Sequence, residues 1–168
     1  MSERPVLKIP KTRLEKLLEV ISIIFIGFMF FQVFYYWSDL PNRIPIHFNA
    51  KGEADGWGGK ESILVLPIIG LFLFKMMFFL SKAPHIYNYP VKVTEENAPR
   101  LYLEARRMMI LLNFECAFLF ASLHWETVRI AFGKDGFGAW GLPVFLILIF
   151  GTMGISIYRM FRLRSPMT

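Results

Sequence analysis

The sequence predicts an all-α integral membrane protein of four transmembrane helices with a short outer β-hairpin-like loop, and three observations predict it. Of its 168 residues 55% are hydrophobic and 17% aromatic, with a mean hydropathy of +0.44, more apolar than a water-soluble domain of this size. Four apolar runs, at 20–37, 63–80, 108–131 and 140–161, each approach the ~20 residues that a helix needs to cross ~30 Å of hydrocarbon. Lys and Arg alternate in density between the connections: thirteen lie in 1–16, 81–107 and 159–168, against five in 38–62 and 129–139. A single domain over 1–168 holds spans at about 17–38, 63–81, 106–131 and 140–161, an outer loop at 39–62 and a cytoplasmic loop at 82–105.

Five basic residues (Arg4, Lys8, Lys11, Arg13 and Lys16) precede the first run, as in a secretory signal. The run outlasts a signal h-region and ends in bulky Tyr35, Tyr36 and Trp37, so a retained anchor is expected. Thr12-Arg-Leu-Glu15 has the spacing of a capping box, which starts the first helix ahead of the membrane, and Asp39-Leu-Pro41 stops it. In the outer loop Ile44, Ile46 and Phe48 alternate with Pro45, His47 and Asn49, the period of an edge strand with one face on the helix ends. Residues 49–52 read as a turn, and Gly52, Gly56, Gly58 and Gly59 let the chain fold back on itself. Pro67 and Pro143 fall in the first turns of the second and fourth helices, where a missing N–H costs little. Ala117 and Ala121 on the third span, and Gly151 and Gly154 on the fourth, suit close helix packing, and self-association is left open.

The basic-rich segments belong in the cytoplasm, which puts both termini and the middle loop inside and the hairpin outside. With acids included the inner segments net +8 and the outer ones 0, so the formal +6 reads as topology and attraction to anionic lipid, with no nucleic-acid partner. Trp37, Trp57, Trp125 and Trp140 fall at the outer boundary, and Tyr87, Tyr89, Tyr102 and Tyr158 at the inner one. Headgroup anchoring accounts for both sets; a Trp-lined outer cradle is the sharper alternative.

Polar groups inside the spans are costly and therefore informative. Lys75 and Glu115 lie at matched depth, about 10 Å from the cytoplasmic ends of antiparallel neighbours, and an intramembrane ion pair between them is expected, with Asn113 nearby. The competing reading has Lys75 reach the headgroups alone. Gln32, His124, Glu126 and Arg129 make a polar cluster at the outer end, in which Glu126 and Arg129, three apart, are expected to bridge. Arg100, Glu104 and Arg107 suit a solvated helical face. The lone Cys116 excludes an intramolecular disulfide and any Cys-x-x-Cys site. An EF-hand aligned on Gly56 would need carboxylates where Lys51 and Ser62 stand, and one His cannot hold zinc without help from elsewhere. His-Glu-x-x-His, Gly-x-Ser-x-Gly and P-loop motifs are absent, so no catalytic residue, metal or cofactor is assigned and a non-enzymatic role is expected.

The most specific string runs over 40–56, Leu-Pro-x-Arg-Ile-Pro-x-His-Phe-Asn-x-x-Gly-x-x-Asp-Gly. A second, Asn-Tyr-Pro-Val-Lys-Val-Thr-Glu-Glu-Asn over 88–97, is followed by Arg100 and Tyr102. Together they resemble a bacterial membrane domain of unknown function that forms the N-terminal module of SdpI-type toxin-immunity proteins, in which further helices follow. The resemblance implies a multi-pass protein of the bacterial plasma (inner) membrane, with the lipid bilayer and an extracellular peptide or toxin as partners. Arg43, His47, Phe48, Asn49, Gly52, Asp55, Gly56 and Trp57 are then the candidate ligand-binding residues of an extracytoplasmic recognition loop. The plainer reading is that His47 and Asn49 cap backbone groups while the glycines make turns. Two other classes compete: a small transporter or channel subunit using Lys75 and Glu115, and a metal-dependent membrane enzyme using His47, His124 and Glu126.

Overall fold

The computed structural model describes residues 4–136 and 138–164. Four helices, α1 (Arg13–Tyr36), α2 (Val65–Leu80), α3 (Ala98–Ala131) and α4 (Gly141–Arg162), carry a two-stranded antiparallel sheet, β1 (Arg43–Phe48) with β2 (Ala54–Gly59), between α1 and α2. With the 3-10 turns that lead into α2 and α4 included, all four helical segments are long and apolar enough to cross a membrane. A 3-10 turn at Lys60–Leu64 leads from the sheet into α2.

Helix α1 begins as its sequence dictates. The Thr12 hydroxyl accepts from the Glu15 N–H at 3.2 Å and the Glu15 carboxylate accepts from the Thr12 N–H at 2.6 Å, closing the capping box. Pro67 and Pro143 sit in the first turns of α2 and α4 as expected. Helix α3 starts at Ala98, eight residues earlier than a span beginning at 106. Pro99 supplies a preset first turn, and Leu101, Tyr102 and Ala105 are buried along one stripe against Met160 of α4, so the helix continues below the apolar run to bury them. Glu104 is buried on this extension and pairs with Arg159 at 3.4 Å, whereas Arg100 and Arg107 are solvated as expected.

At 34 residues α3 is the central helix, packed by α1, α2 and α4 in turn. Its core divides into three levels. At the hairpin end Val33, Leu40, Ile44, Ile63 and Val128 meet. Midway, Ala117 and Ala121 admit Ile26 and Met29 of α1, the close approach their small side chains predict. At the end shared by both termini, Ala98, Leu101, Tyr102, Ala105 and Met160 pack with Leu7 and Ile9 of the N-terminal arm. Gly151 and Gly154 depart from expectation: a Cβ at either position would meet nothing within 4 Å, because α4 rests on α3 through another face.

The arm and the 82–97 segment close the terminal end. Arg106, nearly fully buried, holds the Glu15 carboxylate at 3.1 and 3.2 Å and donates to the carbonyls of Ile9 and Pro10 at 2.5 and 3.0 Å. Arg4 donates to the carbonyls of His85 and Tyr87 and lies over the Tyr89 ring. The hydroxyls of Tyr87 and Tyr89 donate to the carbonyls of Leu80 and Pro84. Burial pushes Tyr87 up to about 12 and Tyr89 higher still, so both remain protonated donors at neutral pH.

Candidate functional site

The hairpin is irregular where it matters. Pro45 pairs with Trp57, His47 with Gly56 and Phe48 with Ala54, leaving Ile46 on β1 and Asp55 on β2 as the extra residues of two compensating bulges. The first bulge breaks the alternation expected of the strand. Ile44 and Pro45 are both buried, while Ile46 turns outward and is 55% exposed. The second re-aims Asp55, whose Oδ1 meets His47 Nδ1 at 2.5 Å on the exposed side of the sheet. Asn49 shapes the turn: its Oδ1 accepts from the N–H groups of Lys51 (2.8 Å) and Glu53 (3.0 Å), and its Nδ2 donates to Glu53. Gly52 has φ +77°, and a Cβ there would meet the Gly138 carbonyl oxygen at 2.4 Å, so the hairpin tip rests on the segment entering α4.

Beneath the hairpin lies a cavity of about 670 Å³, within the range of about 300–1,000 Å³ usual for small-molecule sites. The hairpin roofs it through residues 45–50 and Gly52, the start of α2 and the first turns of α4 form two walls, and α3 forms the third. The α3 wall uses Leu119, Ser122, Leu123, His124, Glu126 and Thr127, with Leu119 toward the middle of the helix and Glu126 and Thr127 toward the roof. Of the candidate loop residues His47, Phe48, Asn49 and Gly52 line the cavity. Arg43, Asp55, Gly56 and Trp57 do not: Arg43 donates to the Trp57 carbonyl at 3.3 Å, Asp55 orients His47, and Gly56 packs flat beneath the His47 Cβ. No tryptophan lines the cavity, so no Trp cradle forms; Trp57 and Trp140 face outward, Trp37 lies under Lys60 and Trp125 packs on Phe28.

The outer-end polar cluster is brought together in part. His124 is fully buried, with Nδ1 3.1 Å from the Gln32 side-chain oxygen and Nε2 3.2 Å from the Ile63 carbonyl, joining α3, α1 and the entry to α2 directly below the hairpin. A neutral imidazole donates through one nitrogen only. With Nε2–H donating to Ile63, Nδ1 is left as an acceptor, which the Gln32 side chain can meet only through its NH₂ end. Glu126 is buried with its carboxylate against Gly136, and Arg129 is half-buried one turn further on. Both His124 nitrogens are engaged, and among the described residues no three His, Cys, Asp or Glu side chains are placed to share a metal ion.

The expected ion pair inside the spans does not form. Lys75 is exposed, while Glu115 is buried between α3 and α4 and its Oε1 accepts from the Thr152 hydroxyl at 2.5 Å. Equal spacing from the helix ends does not bring two side chains together, because azimuth decides contact. The face of α2 that meets α3 at this level carries the Phe74 carbonyl, which accepts from Asn113 Nδ2 at 3.3 Å, and Lys75 is turned about 100° from it. Sequence reasoning missed Ser62, Ser122, Thr127 and the start of α4 as cavity walls; for the α3 members the 119/122/123/126/127 spacing was the available signal.

A family match falls on the hairpin and its flanking helices. Residues 24–71 match a family described as a domain of unknown function (DUF1648), a stretch that takes in the latter part of α1, the whole hairpin and the entry to α2. An uncharacterized protein of Archaeoglobus fulgidus is 32% identical over 89 residues, covering 48% of this chain and 49% of that protein, so the chain spans about half the length of the curated relative it matches. No solved structure matches the chain. The family match therefore falls on the hairpin and the helix halves that carry it, with no activity attached.

Proposed function

We propose that the chain is a multi-pass protein of the bacterial plasma membrane that acts by binding rather than by catalysis, with the hairpin outside, both termini in the cytoplasm, and an external ligand received under the hairpin. One observation carries the reading: the hairpin roofs a cavity of about 670 Å³ whose α3 wall runs from Leu119 toward the middle of the helix to Glu126 and Thr127 toward the roof. Insertion is supported by the bare flanks of the helices. Phe34, Ile147 and Phe72 are 86%, 72% and 66% exposed, and α1, α2 and α4 carry many such residues, an apolar surface that water would not tolerate but lipid would. Orientation is supported by the Lys and Arg asymmetry. Resemblance to the immunity-protein module suggests a membrane-active peptide as the ligand's source.

Two measurements test this. In a Cys116→Ser background, Lys51→Cys in the hairpin turn should react with an impermeant maleimide in intact cells and Lys8→Cys should not; the reverse pattern overturns the orientation. Expression in a susceptible strain should raise survival under a membrane-active peptide. His47→Ala should abolish that protection at unchanged membrane abundance, and equal protection by the variant would remove the hairpin from recognition.

A further inference from the structure

A second cavity, of about 540 Å³, lies at the opposite end of the bundle from the hairpin, between the N-terminal arm and the end of α2. The arm makes one wall because Arg106 holds the carbonyls of Ile9 and Pro10, while Leu7 and Ile9 pack on the core around Tyr102 and Lys8 stays exposed. Lys82 and His85, just past the end of α2, make the other. Lys8, Lys11, Lys82 and Arg106 all line this cavity, and among the described residues no Asp or Glu does. Two of the four charges are compensated from outside it, Lys11 by Glu19 and Arg106 by Glu15. Lys8 and Lys82 have no carboxylate partner among the described residues. The ammonium groups of Lys11 and Lys82, from separate segments, lie 4.9 and 4.3 Å from the centre of one ring, Phe78. Like charges gathered this way repel, and an anion placed among them relieves that repulsion.

From this convergence of basic side chains in a cavity without acids, we infer that it binds a phosphate-bearing anion, with Lys8 and Lys82 as the counter-charges, and that the anion is the headgroup of a membrane phospholipid. The surroundings supply a place for the acyl chains. Phe79, whose ring lies 5.2 Å from the Lys82 ammonium, is exposed, as are Leu14 and Leu17 at the start of α1. Lysine stems that run over apolar surface to charged tips suit the boundary between hydrocarbon and water, where a lipid phosphate stands. An ammonium meets phosphate as a compact point charge, so the site selects by net charge and not by headgroup shape. An anionic phosphodiester fits, whereas a zwitterionic lipid brings a further cation into a basic cavity. The site stands whether or not the hairpin cavity at the other end holds a ligand.

The test uses the full chain in neutral detergent micelles, titrated with dioleoylphosphatidylglycerol or dioleoylphosphatidylcholine, with bound lipid counted by native mass spectrometry. The first phosphatidylglycerol should bind about tenfold or more tighter than phosphatidylcholine. Lys8→Gln with Lys82→Gln should weaken phosphatidylglycerol by about thirtyfold, about fivefold for each lysine, and Lys8→Arg with Lys82→Arg should restore it. Lys8→Gln alone, on the arm outside every helix, gives the same reading at about fivefold if the double variant does not assemble. Lys51→Gln with Lys60→Gln, which removes the same charge at the hairpin end, should leave the affinity within about twofold. Millimolar glycerol 3-phosphate should not displace the lipid; displacement would overturn the lipid assignment and leave a site for a soluble phosphate. Equal affinity for the two lipids, undiminished binding in the Lys8 and Lys82 glutamine variants, or no recovery with arginine would overturn the inference. So would an equal loss in the hairpin-end variant, because binding would then follow net charge and not this cavity.

Discussion

Arg106→Met is the most severe single change this fold should register. Its guanidinium makes two bonds to the Glu15 carboxylate, at 3.1 and 3.2 Å, and two to the Ile9 and Pro10 carbonyls, with the paired side chains only 5% and 4% exposed. Methionine replaces the aliphatic stem, so packing is nearly conserved and the loss is electrostatic. Removing one partner of a buried pair strands the other charge, at a cost of about 3–5 kcal/mol. At about 1.4 kcal/mol per tenfold, the equilibrium constant for folding should fall by two to three and a half orders of magnitude. Glu15→Gln in the same chain removes the stranded charge yet keeps an acceptor for the Thr12 N–H, so the capping box survives. The double variant should therefore be more stable than Arg106→Met alone by about 1 kcal/mol or more, the sign expected when a buried charge is removed together with its partner. Equilibrium unfolding of the purified protein in mixed micelles, followed by far-ultraviolet circular dichroism, reads all of these species. A single-variant cost under about 0.5 kcal/mol, the scale of a surface substitution, would refute the reasoning. Additivity of the two changes within about 0.5 kcal/mol would refute it equally, since independent sites and not coupled ones add.

Gly52→Ala combines φ +77° with a Cβ placed 2.4 Å from the Gly138 carbonyl; it should lower stability by more than about 1 kcal/mol in a thermal melt, and an unchanged Tm would show that the tip does not rest on the α4 entry. Thr152→Val should strand the buried Glu115 oxygen at a cost of about 1–3 kcal/mol, while Lys75→Met should cost almost nothing; a larger loss for Lys75→Met would reinstate the ion pair. Gly151→Ala with Gly154→Ala should stabilise α4 by up to about 1 kcal/mol per site, because nothing stands where the new methyls would go. Destabilisation accompanied by a change of oligomer size in multi-angle light scattering would mean that another copy packs on that face.

The parts of the fold that were legible in the sequence are those set by local chemistry. The capping box at Thr12 and Glu15, the placement of Pro67 and Pro143, the Asn49–Gly52 turn and the pairing of two strands all depend on groups a few residues apart, and all are present. The candidate site was half legible. His47, Phe48, Asn49 and Gly52 reach the cavity because they stand on the hairpin roof, and Gln32 meets His124 because equal depth on neighbouring helices brought them level. Arg106 and Glu15, ninety-one positions apart, could not be paired from either neighbourhood.

Hydrophobic run lengths and the distribution of basic residues determined, with no coordinates, that four apolar helices and one irregular connection would be built, since helix length and backbone satisfaction in an apolar medium are local requirements. Tertiary structure alone decided which side chains face one another. Rotation about each helix axis and the two bulges in the hairpin turned Lys75 away from Glu115, swung Asp55 to His47 and left a chamber beneath the hairpin. Those angles come from packing against distant segments, and no window along the chain contains them.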